Sequence, residues 1–281
     1  MNENEKFETL KSEILRRAHK QGACKEQYSR AYKSENFAEL MEVLRDNFWW
    51  ACEYRVLDAE IIEKYKDDFA EGKIYVNTDI SEGFLLVWNN VTVRAWGNAT
   101  VEAWGNATVE AWGNATVRAS KNITVRAWGN ATVEAWDSAT VKARNNVTVR
   151  AWENVTVRAW DNVTVEAQDN ATVGARNNAI VKAQDNTTVE ARNNVTVKAQ
   201  DNTTVKAWDN VTVEAQDDAT VEAWGNATVR ASKNVTVRAW GNAYITSYTT
   251  IDCKLSESAI YRIRETNTIR YASDDIEFEK V

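Results

Sequence analysis

The octapeptide A-W-G-N-A-T-V-E occurs unchanged at Ala95–Glu102, Ala103–Glu110 and Ala127–Glu134. Close variants of it fill Val87–Thr246, which holds twenty units without an insertion. An unbroken short period is typical of a solenoid, in which each repeat contacts only its neighbours. Below, the leading alanine of the unit is position one and the closing glutamate is position eight.

Each octad predicts one β-strand and one corner. Positions five, seven and one are small and apolar, and they alternate with threonine at position six and a charge at position eight, which is the period of a strand. Gly, Asp or Asn at position three, followed by Asn, tolerates left-handed backbone and suits a tight corner. Because eight residues with one corner cannot close a ring, one turn should need two octads. An antiparallel meander would instead leave the Ala/Val face uncovered, which is less favourable.

The substitutions also follow a period of two octads. At position two, every glutamine falls in one series of alternate octads and every arginine in the other. At position eight, one series alternates in sign along most of its length, as neighbouring strands prefer: Glu102, Arg118, Glu134, Arg150, Glu166, Lys182, Lys198, Glu214, Arg230. We therefore predict a mainly β fold: a two-sided parallel β-solenoid of about 16 residues per coil and about ten coils.

Different patterns flank the repeat. Residues 1–86 predict a helical head that caps the solenoid, because an open end would expose unpaired backbone and core. Its apolar spacing predicts helices near Lys6–Gln21, after the N-cap candidates Ser34 and Asn36, and from Asp58 to Gly72, followed by strands at Ile74–Val76 and Phe84–Val87. Residues 247–281 predict C-terminal capping strands, with alternation at Ala259–Arg264, Thr268–Tyr271 and Ile276–Val281.

Charge and cysteine content restrict the class of protein. The net charge of −7 lies outside the repeat, which has 16 basic and 16 acidic side chains. A neutral body is a poor match for a phosphate backbone, so no direct nucleic-acid contact is expected. The start lacks the apolar segment of a secretion signal, and no stretch is long and apolar enough to span a membrane. Three widely spaced cysteines suit free thiols, so a cytoplasmic protein is predicted.

Position two supplies the first candidate site. Eleven of the thirteen tryptophans lie there, and outward tryptophans would form columns. Two interpretations remain open: stacking within the column, with arginine over indole, or a binding strip for a protein or glycan. The candidate partner-binding residues are Trp96, Trp112, Trp128, Trp160, Trp208, Trp224, Trp240, Arg144, Arg176 and Arg192.

Position three supplies a second candidate, an acidic edge on consecutive coils. Aspartate before asparagine is common in turns, and a cation ladder or a basic partner is the alternative. The residues are Asp137, Glu153, Asp169, Asp185, Asp201 and Asp217. Asparagine at position four predicts an amide ladder at the corners, and the Asn-x-Thr triplets are not expected to be glycosylated. No catalytic, metal-binding or cofactor-binding motif is present, and His19 lies on a polar helix face, so no enzyme is predicted.

The chain resembles octapeptide-repeat proteins of gut bacteria and their phages. The resemblance rests on A-W-G-N-A-T-V-E, on ACKEQYSRAYKS and DAEIIEKYKDDF in the head, and on AIYRIRETNTIRYASDD near the end. It implies a β-solenoid with a helical cap and carries over no catalytic residue.

Three functions follow as hypotheses. The first is a non-enzymatic scaffold that presents repeated side-chain columns to a protein partner, with homo-oligomerisation as a variant. The second, motivated by the resemblance, is an inhibitor of a bacterial defence nuclease. The third is glycan or ice binding, although one outward threonine per strand, followed by a charge, fits ice poorly.

Overall fold

The computed structural model describes residues 2–88 and 90–272, and the chain divides into two compact units, residues 1–118 and 119–281. The first unit contains the helices and the first strands, and the second continues with strands. Within the described residues, no helix is both long and apolar enough to cross a lipid bilayer.

The helices begin where capping side chains allow them to. Asn2 and Glu5 form a capping box at the first helix, and the side chains of Asn36 and Asp58 accept from the backbone N–H groups of Glu39 (3.0 Å) and Ile61 (2.9 Å). The helices are α1 Glu3–Lys20, α2 Lys25–Lys33, α3 Phe37–Asp46, α4 Phe48–Glu53, α5 Ala59–Lys64 and α6 Lys66–Glu71.

The sequence predicted fewer helices than the structure has. Helix α2 was not predicted because it buries only Ala31 and so shows no apolar stripe. The short helix α4 was not predicted either. The helix predicted from Asp58 to Gly72 is two short helices that meet at Tyr65.

Strands follow one another at octad spacing from Phe84 onward. The first are β1 Ile74–Val76, β2 Phe84–Trp88, β3 Thr92–Ala95, β4 Thr100–Trp104, β5 Thr108–Ala111 and β6 Thr116–Ala119. Next come β7 Thr124–Trp128, β8 Thr132–Ala135, β9 Thr140–Arg144, β10 Thr148–Ala151, β11 Thr156–Trp160, β12 Thr164–Ala167, β13 Thr172–Arg176, β14 Ile180–Ala183, β15 Thr188–Arg192 and β16 Thr196–Ala199. The last are β17 Thr204–Trp208, β18 Thr212–Ala215, β19 Thr220–Ala223, β20 Thr228–Ala231, β21 Thr236–Ala239, β22 Tyr244–Ser247, β23 Asp252–Leu255, β24 Ile260–Ile263 and β25 Thr268–Tyr271.

Even-numbered and odd-numbered strands belong to different sheets, which we call the even sheet and the odd sheet. In the first unit β2 pairs with β4 and β3 with β5, and in the second β10 pairs with β12, always in parallel. The partners lie two octads apart in the chain, as in Val149↔Val165. The prediction of a two-sided parallel β-solenoid is therefore confirmed, with about eleven turns of two octads each.

The core explains why the octad alternates. Positions seven and one point inward and are fully buried, as Val141 and Ala143 are, while positions six, eight and two keep solvent contact. Small side chains from two facing sheets fill the interior without room for larger ones. Two inward threonines, Thr187 and Thr203, each donate to the carbonyl three residues earlier, at the start of the same corner, as Thr203 does to Gln200 at 2.5 Å.

The corners adopt the left-handed backbone that the sequence predicted. Asp169 and Asn170 have φ of 53° and 64°, and the same sign recurs at corner after corner. These corners also hydrogen-bond from turn to turn, since the Asn170 N–H donates to the Asp185 carbonyl at 3.0 Å. Asp and Asn tolerate this conformation better than other side chains.

The solenoid continues past the last octad. Strand β24 pairs in parallel with β22 at the same two-octad offset, and β25 then pairs with β24 in the antiparallel direction. Tyr261 fills the core of this last turn, and its hydroxyl lies 2.7 Å from the Ser247 hydroxyl and accepts from the Ile251 N–H at 3.1 Å. The alternation predicted at Ile276–Val281 lies outside the described residues.

Candidate interaction surface

The odd sheet carries the predicted column of tryptophan and arginine. Each odd strand from β3 to β21 ends in, or is followed by, a tryptophan or an arginine at position two. The members are Trp96 and Trp112 in the first unit, and Trp128, Arg144, Trp160, Arg176, Arg192, Trp208, Trp224 and Trp240 in the second.

Side chains of this column stack on one another. The rings of Trp208 and Trp224 lie 4.9 Å apart at 8°, and those of Trp224 and Trp240 lie 5.0 Å apart at 8°. Arg192 lies over Trp208 at 4.4 Å. Residues that repeat every second octad are adjacent in register, so ring faces meet along the column.

Stacking covers the ring faces of these indoles and leaves part of their edges accessible. Trp208, Trp224 and Trp240 are half-buried, whereas Trp96 in the first unit is 42% exposed. Internal stacking, one of the two interpretations, is thus present. It does not remove the surface, because a prestacked ring contacts a partner at little cost in side-chain entropy.

On the even sheet, position two forms a different column. The side-chain amides of four glutamines form a ladder: Gln168 donates to Gln184 (2.8 Å), Gln184 to Gln200 (2.7 Å) and Gln200 to Gln216 (3.1 Å). The sequence showed the glutamines in one series, but the ladder was not predicted from it.

The even sheet also carries tryptophans. Trp136 and Trp152 stack at 5.2 Å in the second unit. In the first unit Trp88 meets Trp104 edge to face at 5.9 Å, and Trp104 packs against the helical core. Trp88 and Trp104 therefore contribute to packing in the first unit.

Position eight distinguishes the two sheets further. In the even sheet the predicted alternation of sign produces ion pairs: Arg150 lies 3.3 Å from Glu134 and 3.5 Å from Glu166, and Lys182 lies 2.8 Å from Glu166. In the odd sheet, Arg158 lies opposite Lys142 and Gly174 in register. The basic residues Lys142 and Arg158 were not singled out from the sequence, because only one of the two position-eight series was compared.

The predicted acidic edge lies at the corners that lead from an even strand to the next odd strand. All six side chains are exposed, and the backbone of each is left-handed. A hydrogen bond and charge repulsion from Asp137 raise the pKa of Glu153, and the charge of Asp169 adds to this effect. In the part of the chain that the structure describes, no group of three or more His, Cys, Asp or Glu side chains is arranged to hold a metal ion.

The opposite corners carry the predicted asparagine ladder. Asn114 donates to Asn98 at 3.3 Å in the first unit, and Asn210 donates to Asn194 at 3.3 Å in the second. At position three of the same corners, Asn177 donates to Asp161 at 3.0 Å. In the Asn-x-Thr triplets, the asparagine therefore belongs to the corner and the threonine begins the strand that follows it.

The head offers one further concavity. An apolar cavity of about 230 Å³ lies among α1 to α4 and is lined by Leu44, Tyr28 and Trp50 among others. Trp49 lies beneath the Arg118 guanidinium at 4.5 Å, and the exposed His19 touches Tyr28 at 6.1 Å between ring centres. Trp49 thus has a packing partner in the first unit.

Comparison of the chain with protein-family models, with curated proteins and with solved structures found no match.

Proposed function

We propose that this chain is a non-enzymatic cytoplasmic scaffold that binds a protein partner through the outer face of its odd sheet. The observation that carries the proposal is the column of tryptophan and arginine at one outward position of odd strands β7 to β21 in the second unit. Tryptophan and arginine dominate the energetics of protein interfaces because they combine large contact area with directional bonding.

Prestacking supports this assignment. Three rings with interplanar angles of 8° form a continuous apolar strip over Trp208, Trp224 and Trp240. A strip of this kind, bordered by charged side chains, is typical of an interaction surface. The even sheet presents amides at the matching position of four turns, which are already bonded to one another.

A pull-down from the native cell lysate tests the proposal. The bait is the whole chain, compared with a variant in which Trp208, Trp224 and Trp240 are all changed to threonine, the residue already present on the same face. The matched control changes Trp136 and Trp152 of the even sheet to threonine. The proposal predicts that the first variant loses partners that the control retains, and an unchanged set of partners would refute the surface assignment.

A second proposal follows from the resemblance to octapeptide-repeat proteins of gut bacteria and their phages. Such a chain would act as an inhibitor of a bacterial defence nuclease, with the head or the acidic edge occupying the target. Co-expression with candidate nucleases tests this, and unchanged nuclease activity across the panel would count against it.

A further inference from the structure

The outer face of the odd sheet is basic over five consecutive strands. Between β9 and β17, its position-eight and position-two side chains include six cations and one anion, Glu190. The even strands β8 to β18 carry three cations and three anions at the same positions. We call the six cations the basic strip: Lys142, Arg144, Arg158, Arg176, Arg192 and Lys206.

Folding alone does not account for the basic strip. Arg158 lies opposite Lys142 in register, and Arg192 lies opposite Arg176, which places like charges on neighbouring strands. Such pairs destabilise a sheet. Among the described residues, none of the six forms an ion pair within 4.0 Å, in contrast to the paired charges of the even sheet. A local cost that no ion pair within 4.0 Å relieves marks a candidate functional surface.

Two arginines of the basic strip are held in place by indoles. Arg144 lies over Trp160 at 5.1 Å, and Arg192 lies over Trp208 at 4.4 Å. A guanidinium stacked on a ring loses less side-chain entropy when its N–H groups bind a carboxylate. Between these turns, Gly174 replaces the usual charge, although its backbone is not left-handed and an added Cβ would come no closer than 3.9 Å to a neighbouring atom. Neither the packing nor the backbone therefore requires a glycine at this position, and the missing side chain leaves a gap on the outer face.

The acidic edge has the complementary charge and the same spacing. Its six carboxylates recur once per turn, from Asp137 to Asp217, and the first five of these turns carry the basic strip. Within the described residues these carboxylates form no salt bridge, and Asp137 and Asp169 crowd Glu153. The acidic edge adjoins position six of each odd strand, and position two lies about 13 Å further along the strand. Arg144, Arg176 and Arg192 at position two are therefore further from the acidic edge of their own chain than the Debye length of about 8 Å.

We propose that the basic strip of one copy binds the acidic edge of a second copy of this chain. Both ladders advance by one turn at a time, so a single alignment brings each of the five basic strands beside a carboxylate. One exposed ion pair contributes little, but several that form together act as one multivalent contact. The inference rests on the proposed function, because it assigns the same odd-sheet face to protein binding.

The structure favours a second copy over a single-stranded nucleic acid. Nucleobases bind such faces by stacking on open aromatic rings. Here Trp208 lies between Arg192 and Trp224, so neighbours already cover both faces of its ring. The acidic edge on the same turns would also repel a phosphate backbone.

Because the basic strip and the acidic edge are different surfaces, the contact is heterologous, and each added copy leaves both free at the ends. Sedimentation velocity on the purified full chain should therefore show species larger than one copy at low ionic strength, which dissociate at high ionic strength.

Two charge-reversed variants locate the contact. The first carries Arg144→Glu, Arg176→Glu and Arg192→Glu, and the second carries Asp169→Lys, Asp185→Lys and Asp201→Lys. Each alone should lose at least about tenfold in association constant, because like charges then face each other. An equal mixture of the two should associate again, since the intact acidic edge of the first variant matches the intact basic strip of the second, and the two reversed surfaces match each other. The control Arg144→Lys, Arg176→Lys and Arg192→Lys keeps the charge and should keep associating, and circular dichroism confirms that each variant is folded.

Three outcomes would overturn the inference: a wild-type chain that stays monomeric at low ionic strength, variants that fail to associate when mixed, or a strip that binds a labelled single-stranded oligonucleotide in place of a second copy. A monomeric chain that still loses lysate partners when Trp208, Trp224 and Trp240 are changed would retain the proposed function and overturn only this inference.

Discussion

At the residue scale, the three cysteines differ in their surroundings and should differ in reactivity. Cys24 is exposed, Cys52 is buried, and burial raises the pKa of Cys52 well above its ordinary value, with the charge of Glu102 adding to the effect. Burial, followed by the charge of Asp252, raises the pKa of Cys253 to about 12. The thiolate is the reactive form, and at pH 8 roughly one Cys253 side chain in ten thousand is a thiolate.

Ellman's reagent should therefore modify one thiol of the folded chain quickly, and the other two only after unfolding. Cys24→Ser should abolish the fast phase. Rapid modification of two or three thiols in the folded chain would contradict the burial of Cys52 and the partial burial of Cys253.

Two glycines provide a matched test of the corner backbone. Gly241 has φ of 67°, and a Cβ there would lie 2.9 Å from the Gly225 nitrogen, whereas Gly174 has neither constraint. Gly241→Ala should therefore cost about 1–2 kcal/mol of unfolding free energy. Gly174→Ala, in a strand, should be neutral or stabilising by up to about 1 kcal/mol. Urea unfolding measures both, and equal effects of the two substitutions would contradict the assigned corner.

At the element scale, the glutamine ladder should behave as a chain of linked bonds. Gln184 takes part in two amide hydrogen bonds and Gln216 in one. At about 0.5–1.5 kcal/mol for each bond, Gln184→Ala should destabilise the chain by about 1–2 kcal/mol and Gln216→Ala by about half as much. Thermal unfolding of the two variants provides the comparison. A larger loss for Gln216→Ala would mean that the ladder does not act as a unit.

The ion pairs of the even sheet should make stability depend on pH. The hydrogen bond from Lys182 and its charge, followed by the charge of Arg150, lower the pKa of Glu166. A carboxyl with a lowered pKa stabilises the folded state above its unfolded-state pKa, and this contribution disappears as the pH falls through the lowered value.

Glu166→Gln should consequently lower the unfolding free energy at pH 7 by about 0.5–1 kcal/mol, the scale of two exposed pairs. The difference from wild type should begin to shrink as the pH falls below about 4.3, the unfolded-state pKa of a glutamate, and should vanish once the pH lies below the lowered value. Denaturant titrations at pH 7 and through the acid range measure it, with Glu190→Gln of the odd sheet, which forms no ion pair among the described residues, as the control. A difference that persists undiminished in acid would show that Glu166 contributes by packing.

Elements were predictable to the extent that their residues alternate or repeat. Thr, Val and Ala at fixed positions specified the strands, and Asp-Asn pairs specified the corners, because each choice has a local physical cause. Helices α2 and α4 were not predictable in this way, since α2 has one buried residue and α4 has six residues in all. Their packing depends on the rest of the head, which no local pattern describes.

At the scale of the whole molecule, folding sorts charges that the composition averages out. The repeat sums to zero, yet alternate octads enter different sheets, so cations collect on odd strands β9 to β17, while position eight of the even strands mostly alternates in sign. The tryptophan and arginine columns and the acidic edge could be placed from the sequence. The basic strip became visible only once the position-eight cations of β9, β11 and β17 were combined with the position-two arginines of β9, β13 and β15. A neutral body therefore does not exclude nucleic acid from each separate face, and the absence of such contact stays a prediction.

The two-octad turn underlies every column described, and disulfide cross-linking tests it most directly. Thr196 and Thr212 are register partners on β16 and β18, so their Cα atoms are within the range that a disulfide bridges, whereas Thr204 is one octad from Thr196 and lies on the odd sheet. In a chain with Cys24→Ser, Cys52→Ala and Cys253→Ser, the pair Thr196→Cys and Thr212→Cys should oxidise to an intramolecular disulfide, detected by intact mass. The pair Thr196→Cys and Thr204→Cys should not. Cross-linking of the second pair as readily as the first would contradict the two-sided solenoid.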